Sequence, residues 1–302
     1  MTAVSPDWIA VDWGTSNLRA FAIGADGRVL AEAASDEGMG KLTREGFEPA
    51  LLRLIGPWLS GGAPVVACGM VGSRQGWCEA PYRMVPCTPL DRVALVKAPT
   101  TDPRLNVSIA PGLKQAQPAD VMRGEETQIA GALRLMPGYD GVICLPGTHS
   151  KWVHVSAGEV VSFQTFMTGE MFALLSGASV LRHGMQTEDW DDTAFDAGVS
   201  DAISRPERIA ARLFTIRAEG LIAGLVPEAA RARLSGLLIG TELAAARPYW
   251  LGQRVTLVGA ERISAAYARA LAAQGVEAKR LSATDSTLAG LSLLAPEKVS
   301  DR

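Results

Sequence analysis

The sequence predicts an α/β protein built from two related halves. Three observations carry that reading. A strand–loop–strand–turn–strand pattern opens the chain, and the same order returns from Gly141. Each half then carries a later strand that ends in glycine and opens a helix. Chance rarely repeats a loop, a hairpin and a downstream strand in order, so the pattern points to an internal duplication.

The elements follow in sequence. Trp8–Asp12 is a strand, then a polar loop runs Trp13-Gly14-Thr15-Ser16-Asn17, and Leu18–Ile23 is the second strand. The turn Gly24-Ala25-Asp26-Gly27 leads to a third, Arg28–Ala33; Asp-Gly between apolar runs is a strong hairpin signal. Pro64–Cys68 is the later strand, closed by Gly69-Met70-Val71-Gly72. Glu125–Met136 places Ile129, Ala132, Leu133 and Met136 on one helical face, and Pro137-Gly138 stops it. The second half repeats the hairpin: strand Gly141–Leu145, loop Pro146 to Lys151, strand Trp152–Val155, turn Ser156 to Glu159, strand Val160–Phe163. Helices are expected over Phe172–Leu181, Pro206–Gly224, Glu228–Ala246 and Ser264–Gln274, with a short final one over Thr284–Leu294. The acidic, glycine-containing Thr187–Val199 reads as a loop. Strand Val255–Val258 meets Gly259-Ala260. The domain boundary is placed at residues 138/139, giving 1–138 and 139–302.

Composition narrows the function. The 302 residues suit about two domains of roughly 150 residues each. Lys+Arg 29 against Asp+Glu 32 leaves a net charge of −3, with no basic excess to neutralise a nucleic acid backbone. No run of about 18 apolar residues is present to span a membrane. Met1 to Pro6 has neither a basic nor an apolar stretch of the kind that opens a signal peptide. Cys68, Cys78, Cys87 and Cys144 form no C-x-x-C pair, which suits reduced thiols in the cytoplasm. Only three histidines occur, and none has a ligand-spaced partner for zinc.

Asp12-Trp13-Gly14-Thr15-Ser16-Asn17 is the sharpest motif. A carboxylate ends a buried strand, glycine turns the backbone close to a ligand, and Thr, Ser and Asn supply hydrogen-bond donors. This suits phosphate oxygens, with Asp12 holding Mg²⁺ and Arg19 adding a phosphate-directed fork. The second loop, Gly147-Thr148-His149, has Leu145 where the first has Asp12, so it carries no metal carboxylate and offers His149 and Lys151 instead. Two such loops could clamp one triphosphate, the charge pattern phosphoryl transfer needs. Gly-x-x-x-x-Gly-Lys-[Ser/Thr], Gly-x-Gly-x-x-Gly and Gly-x-Ser-x-Gly are all missing; the nearest string, Glu37 to Leu42, lacks the spacing and the hydroxyl. Glu125 and Glu126 begin a helix, where acids favour the dipole. Adjacent helical residues point about 100° apart, so one of the two would face a site as general base or partner of a metal-bound water. Gly72, Ser73, Arg74 and Gln75 resemble a sugar-acid grip, with Arg74 suited to a carboxylate. Gly169 and Glu170 are candidates for the same site.

Together, Asp12 to Arg19, Gly69 to Ser73, Met122-Arg123-Gly124-Glu125-Glu126-Thr127-Gln128, Pro146 to Val153 and Ser235 to Gly240 resemble the 2-dehydro-3-deoxygalactonokinase family, nearly end to end. That family belongs to the actin/Hsp70/sugar-kinase superfamily. The resemblance implies two ribonuclease-H-like domains facing a cleft, ATP and Mg²⁺ as cofactors, and closure on substrate. It implies transfer of the ATP γ-phosphate to the 6-hydroxyl of 2-dehydro-3-deoxy-D-galactonate in galactonate breakdown. Asp12, Gly14, Thr15, Ser16 and Asn17 match the first phosphate motif, and Gly147, Thr148 and His149 the second. Gly259 and Ala260 stand at the adenosine motif, with Ala260 where a second glycine is usual, and Gly240 closes the last matching segment. No Asp follows the second phosphate loop in the catalytic position common among superfamily sugar kinases, which leaves Glu125 or Glu126 as the base. The alternatives are a kinase for the gluconate epimer or another sugar acid, a phosphohydrolase, and a non-catalytic sugar or ATP sensor. A transcriptional sensor would add a helix-turn-helix, for which the segment before Trp8 has no room, and an Hsp70-like chaperone would need a peptide-binding domain. Exposed helices in the second half would permit a homodimer.

Overall fold

The computed structural model describes residues 4–296; Met1, Thr2 and Ala3 of the N-terminal stretch read above lie outside the described residues. In chain order the strands are β1 Trp8–Trp13, β2 Leu18–Ile23, β3 Val29–Ser35, β4 Val65–Gly69, β5 Arg83–Met84, β6 Val96–Lys97, β7 Val107–Ile109, β8 Leu113–Gln115, β9 Asp120–Met122, β10 Gly141–Leu145, β11 Ser150–Ser156, β12 Glu159–Phe166, β13 Val255–Gly259 and β14 Lys279–Ser282. The helices are α1 Phe47–Ile55, α2 Glu125–Leu135, α3 Thr168–Gly177, α4 Asp192–Ser204, α5 Ile209–Ile222, α6 Pro227–Ala245, α7 Arg247–Trp250, α8 Glu261–Ala272 and α9 Ala283–Leu293.

The chain forms two compact units. Unit 1 holds the described residues up to Tyr139, Ser156–Ser162, and the described residues from Ala283 onward; unit 2 holds Asp140–Val155 and Phe163–Ser282. The first break falls beside the expected boundary, but the last helix groups with unit 1 rather than with the half that precedes it.

Each unit is built on a sheet of the same order. In unit 1 the order is β3-β2-β1-β4-β7-β6. The first three strands are antiparallel, and β4 and β7 join them in parallel. In unit 2, which takes β12 from Phe163 on, it is β12-β11-β10-β13-β14, with β10 antiparallel to β11, parallel to β13, and β13 parallel to β14. A hairpin-led meander followed by parallel strands is the ribonuclease-H-like arrangement, so the duplication read from the sequence is present in the fold. A small sheet, β5-β8-β9, is an addition to unit 1 that carried no expectation.

Strand alternation decides what covers each face of the first sheet. Ile9, Val11 and Trp13 pack with Phe47 and Leu51 of α1. Trp8 and Ala10 face the other way, with Leu291 and Leu294 at the end of α9. Helix α9 also packs on α2, where a side chain on Gly131 would stand 1.8 Å from the Ser286 carbonyl oxygen and one on Gly290 would stand 2.0 Å from that of Thr127. Only glycine permits that approach.

The expected loop Thr187–Val199 is irregular only up to Asp191, and the chain is helical from Asp192. Asp191 caps α4, its Oδ1 accepting from the Ala194 amide at 3.0 Å. Phe195, Gly198, Val199 and Ala202 then form its buried face. Read alone, the acids and the glycine suggest a loop. In the fold, the acid at 191 is a cap, and Gly198 admits α6. A side chain on Gly236 of α6 would stand 2.2 Å from the Phe195 carbonyl oxygen, and one on Gly240 2.7 Å from that of Val199. No helix among the described residues is long and apolar enough to cross a membrane.

Candidate active site

In unit 1, the polar loop is closed by the Gly14 amide donating to the Asn17 carbonyl at 2.9 Å, leaving Thr15, Ser16 and Asn17 exposed. A second turn braces it from below. The Met39 and Gly40 amides donate to the carbonyls of Gly14 and Thr15 at 3.0 and 2.8 Å. Gly38 lies so close that a Cβ would stand 2.3 Å from the Ser16 carbonyl carbon. The Glu37–Leu42 string, set aside as a phosphate motif, is therefore the support of the Gly14–Asn17 loop. Buried Trp13 ties the two segments, its indole donating to the Glu37 carbonyl at 2.9 Å.

Asp12 sits opposite Arg19 across the β1–β2 ladder. Arg19 Nη2 donates to Asp12 Oδ2 at 2.6 Å, and Nη1 donates to Thr284 Oγ1 of α9 at 3.0 Å. The guanidinium expected to aim at phosphate is thus held on the carboxylate. Asp12 Oδ1 has no hydrogen-bond partner among the described residues. No group of three or more His, Cys, Asp or Glu side chains that could hold a metal gathers among them either. A lone, partly exposed carboxylate beside exposed hydroxyls suits Mg²⁺, which takes one or two carboxylates and fills its shell with water and phosphate oxygens.

Three backbone segments meet beside Asp12. Gly69 ends β4 at φ +94°, where a Cβ would stand 2.6 Å from the Trp13 carbonyl oxygen, and Gly124, at φ +103°, lies against Gly69. This contact brings the start of α2 to the end of β1. The two glutamates then separate. Glu126 is fully buried; it accepts from the Gly124 amide at 2.7 Å and from the Thr127 hydroxyl at 3.2 Å. Burial, with Glu125 beside it, pushes its carboxyl up to about 8. Glu125 is partly exposed, with Oε2 accepting from the Arg123 amide at 3.0 Å. Of the sugar-acid candidates, Gly72 and Ser73 are buried while Arg74 and Gln75 are exposed.

In unit 2, Gly147, Thr148 and His149 are exposed on the second loop. Lys151 belongs to β11 rather than to the loop; it is buried, and its ammonium donates to the His149 carbonyl at 3.1 Å. Helix α3 docks its first turn on this loop. A Cβ on Gly169 would stand 2.2 Å from the Gly147 carbonyl oxygen, and the Glu170 amide donates to the Thr148 carbonyl at 2.9 Å. His149 Nε2 and Glu170 Oε2 are 2.6 Å apart. The structure thus places Gly169 and Glu170 against the second Gly-Thr loop. Gly259 also borders it; a Cβ there would stand 3.4 Å from the Pro146 carbonyl oxygen, an ordinary contact, and 2.8 Å from the Ser264 hydroxyl.

Beside this loop lies a cavity of about 790 Å³, lined at one end by Gly147 and Gly169 and elsewhere by Ala260, Trp190, Phe172 and Tyr267. Its size suits a small organic ligand. Arg262 stands over Trp190 and Arg231 over Phe172, at 5.7 and 5.2 Å from the ring centroids. Two of the lining residues, Thr168 and Tyr267, are held by Glu242 of α6, which is buried behind them. It accepts from Trp152 Nε1 at 2.7 Å, Tyr267 Oη at 2.7 Å and the Thr168 hydroxyl. Gly240 is not among the lining residues; it faces α4. Sequence reasoning missed Glu242, Trp190, Gly38 and Arg123. Only Arg123 and Gly38 stood within strings already singled out.

The chain matches the family described as 2-keto-3-deoxy-galactonokinase over residues 12–294. It is 35% identical to the 2-dehydro-3-deoxygalactonokinase of Escherichia coli (strain K12), over 95% of this chain and 97% of that one. It is 40% identical to a protein of Rhizobium meliloti (strain 1021) named a probable 2-dehydro-3-deoxygalactonokinase, over 95% and 96%. A crystal structure from Sinorhizobium meliloti, whose protein carries the same provisional name, superimposes with a TM-score of 0.89 at 38% identity, covering 95% of this chain and 98% of that one.

Proposed function

The chain belongs to the 2-keto-3-deoxy-galactonokinase family and is a sugar-acid kinase. From that premise we propose that it moves the γ-phosphoryl group of ATP to the 6-hydroxyl of 2-dehydro-3-deoxy-D-galactonate. The observation that carries the reading is the pair of exposed Gly-Thr loops. Each joins the first two strands of its unit, and only the first follows a carboxylate.

The division of labour follows from the residues. Phosphoryl transfer asks mainly for positioning and charge neutralisation. Thr15, Ser16 and Asn17 offer donors to phosphate oxygens, and Gly147, Thr148 and His149 offer a second set. Asp12 is the residue that would hold Mg²⁺, which supplies positive charge to the phosphates when bound. The cavity beside Gly147 and Ala260 suits adenosine, with aromatic walls for the base. Glu125, partly exposed, is the better-placed carboxylate for the hydroxyl proton or a metal-bound water. Glu126 is enclosed and occupied in holding the start of α2. The four cysteines are free thiols, which supports a cytoplasmic location.

The test is an ADP-release assay with Mg·ATP and 2-dehydro-3-deoxygalactonate, its gluconate epimer, galactonate, or no sugar. Turnover confined to the first compound supports the reading. Equal turnover with the epimer keeps the kinase and removes the substrate assignment. ADP release without sugar favours a hydrolase and overturns the proposal.

A further inference from the structure

Arg123 lies in the turn before α2 and is 7% exposed. Its guanidinium is stacked on the Tyr82 ring at 4.3 Å from the centroid, and Nη2 donates to the Ala80 carbonyl at 2.7 Å. Nε and Nη1 have no hydrogen-bond partner among the described residues. The nearest acids in sequence do not serve it: Glu125 accepts from the Arg123 backbone amide, and Glu126 from that of Gly124. Nη1 is 3.0 Å from where a Cβ on Gly72 would stand. The next residue, Ser73, is 4% exposed, and its hydroxyl also lacks a partner among the described residues. A guanidinium is thus buried without a direct ion pair among the described residues, its charge reaching Glu126 only through space, next to a turn that holds an unused hydroxyl. Buried charges are ordinarily paired, because removing them from water is costly.

We propose that Arg123 and Ser73 form the seat for the carboxylate of the sugar acid, an inference that rests on the sugar-acid kinase reading above. The Nη2 hydrogen not given to Ala80 completes, with Nε–H or Nη1–H, a planar fork of the kind carboxylates accept. The Ser73 hydroxyl supplies a further donor. Gly72 stands against the guanidinium, so the Met70–Gly72 turn must shift for the anion to enter, and that shift brings the Ser73 hydroxyl into the seat. Gly72 has a specific part, since a side chain there would collide with Nη1. Arg74, exposed beside the same turn, is a different residue from the clamp. The seat explains how the site would prefer an acid to the corresponding neutral sugar: the neutral ligand leaves the buried cation unpaired.

The test compares wild type with Arg123→Lys, Ser73→Ala and Arg74→Ala. Two ligands are titrated calorimetrically: 2-dehydro-3-deoxygalactonate and its analogue with the carboxylate reduced to a hydroxymethyl group. Arg123→Lys keeps the charge and removes the fork; Ser73→Ala removes only a hydroxyl and carries the test if the lysine variant fails to fold. The expected result is a tenfold or greater weakening for the acid in both, little change for the neutral analogue, and KM for ATP within twofold of wild type. The proposal is overturned if both variants keep the wild-type preference for the acid, or if Arg74→Ala is the change that abolishes it. Failure of the kinase reading is separately visible. A wild-type protein that binds the acid through these residues but phosphorylates nothing keeps the anion seat and loses the activity; turnover with an unaltered acid preference in the variants does the reverse.

Discussion

Asp12 and Glu126 show how placement sets a carboxylate's use. Asp12 ends a strand at a partly exposed position with one oxygen unused, and it is the group assigned to the metal. Asp12→Asn keeps the shape and the Arg19 contact but removes the charge. It is expected to lower kcat at least ~100-fold with little change in melting temperature. A variant with near-normal kcat would remove Asp12 from the reaction. Glu126 behaves in the opposite way. Its carboxyl, held near 8, stays protonated in the folded chain where the unfolded chain, near 4.5, has released the proton. Stability from this group is therefore full below that window and falls as pH rises through it, by at most about 1.4 kcal/mol per pH unit. Glu126→Gln cannot ionise. The melting temperature of the variant relative to wild type should rise between about pH 5 and pH 8.5; a flat difference would show that Glu126 is charged throughout. The first polar loop was legible as a loop because glycine, hydroxyls and a strand-ending acid are adjacent in the chain. The choice between Glu125 and Glu126 was not, because burial depends on where Gly69 meets Gly124.

At the level of elements, the least legible feature was α4. Its start is acidic and its middle holds Gly198, features that suggest a loop until α6 is beside it. Glycines 198, 236 and 240 then read as one crossing, with each helix backbone touching the other. Gly236→Ala places a methyl 2.2 Å from a carbonyl oxygen, and the backbones must separate. The expected loss is about 1–3 kcal/mol, read as a lower midpoint in denaturant unfolding. An unchanged midpoint would mean that the helices slide apart at little cost. The same crossing accounts for Gly240: the family segment that contains it marks packing, and its neighbours Ser235, Leu238 and Ile239 reach the cavity. Hairpins were easier to read, since Asp26-Gly27 and the alternating strands around it are local signals. Glu242 was out of reach, because its partners come from β11, α3 and α8.

For the whole molecule, the duplication was legible from order alone, and the sheet orders bear it out. The ownership of the last helix was not, since nothing in Thr284–Leu294 names the sheet it covers. Helix α9 packs on α2, lies over the β1–β4 face, and holds Arg19 through Thr284. Ending the chain after Ser282 should therefore damage unit 1 and spare unit 2. Hydrogen exchange should quicken in β1 and β4 while β10 and β13 keep their protection. Equal loss in both sheets would show that the units are not separately stable.

That helix also fixes an order of events during synthesis. Domains commonly fold in the order in which they leave the ribosome. Here the strands of the second sheet are complete once β14 has emerged, while the first sheet still lacks the helix over one of its faces. The half made first is thus finished after the other, and until α9 follows, its apolar side, Trp8, Phe21 and Val66 among it, stands without its cover.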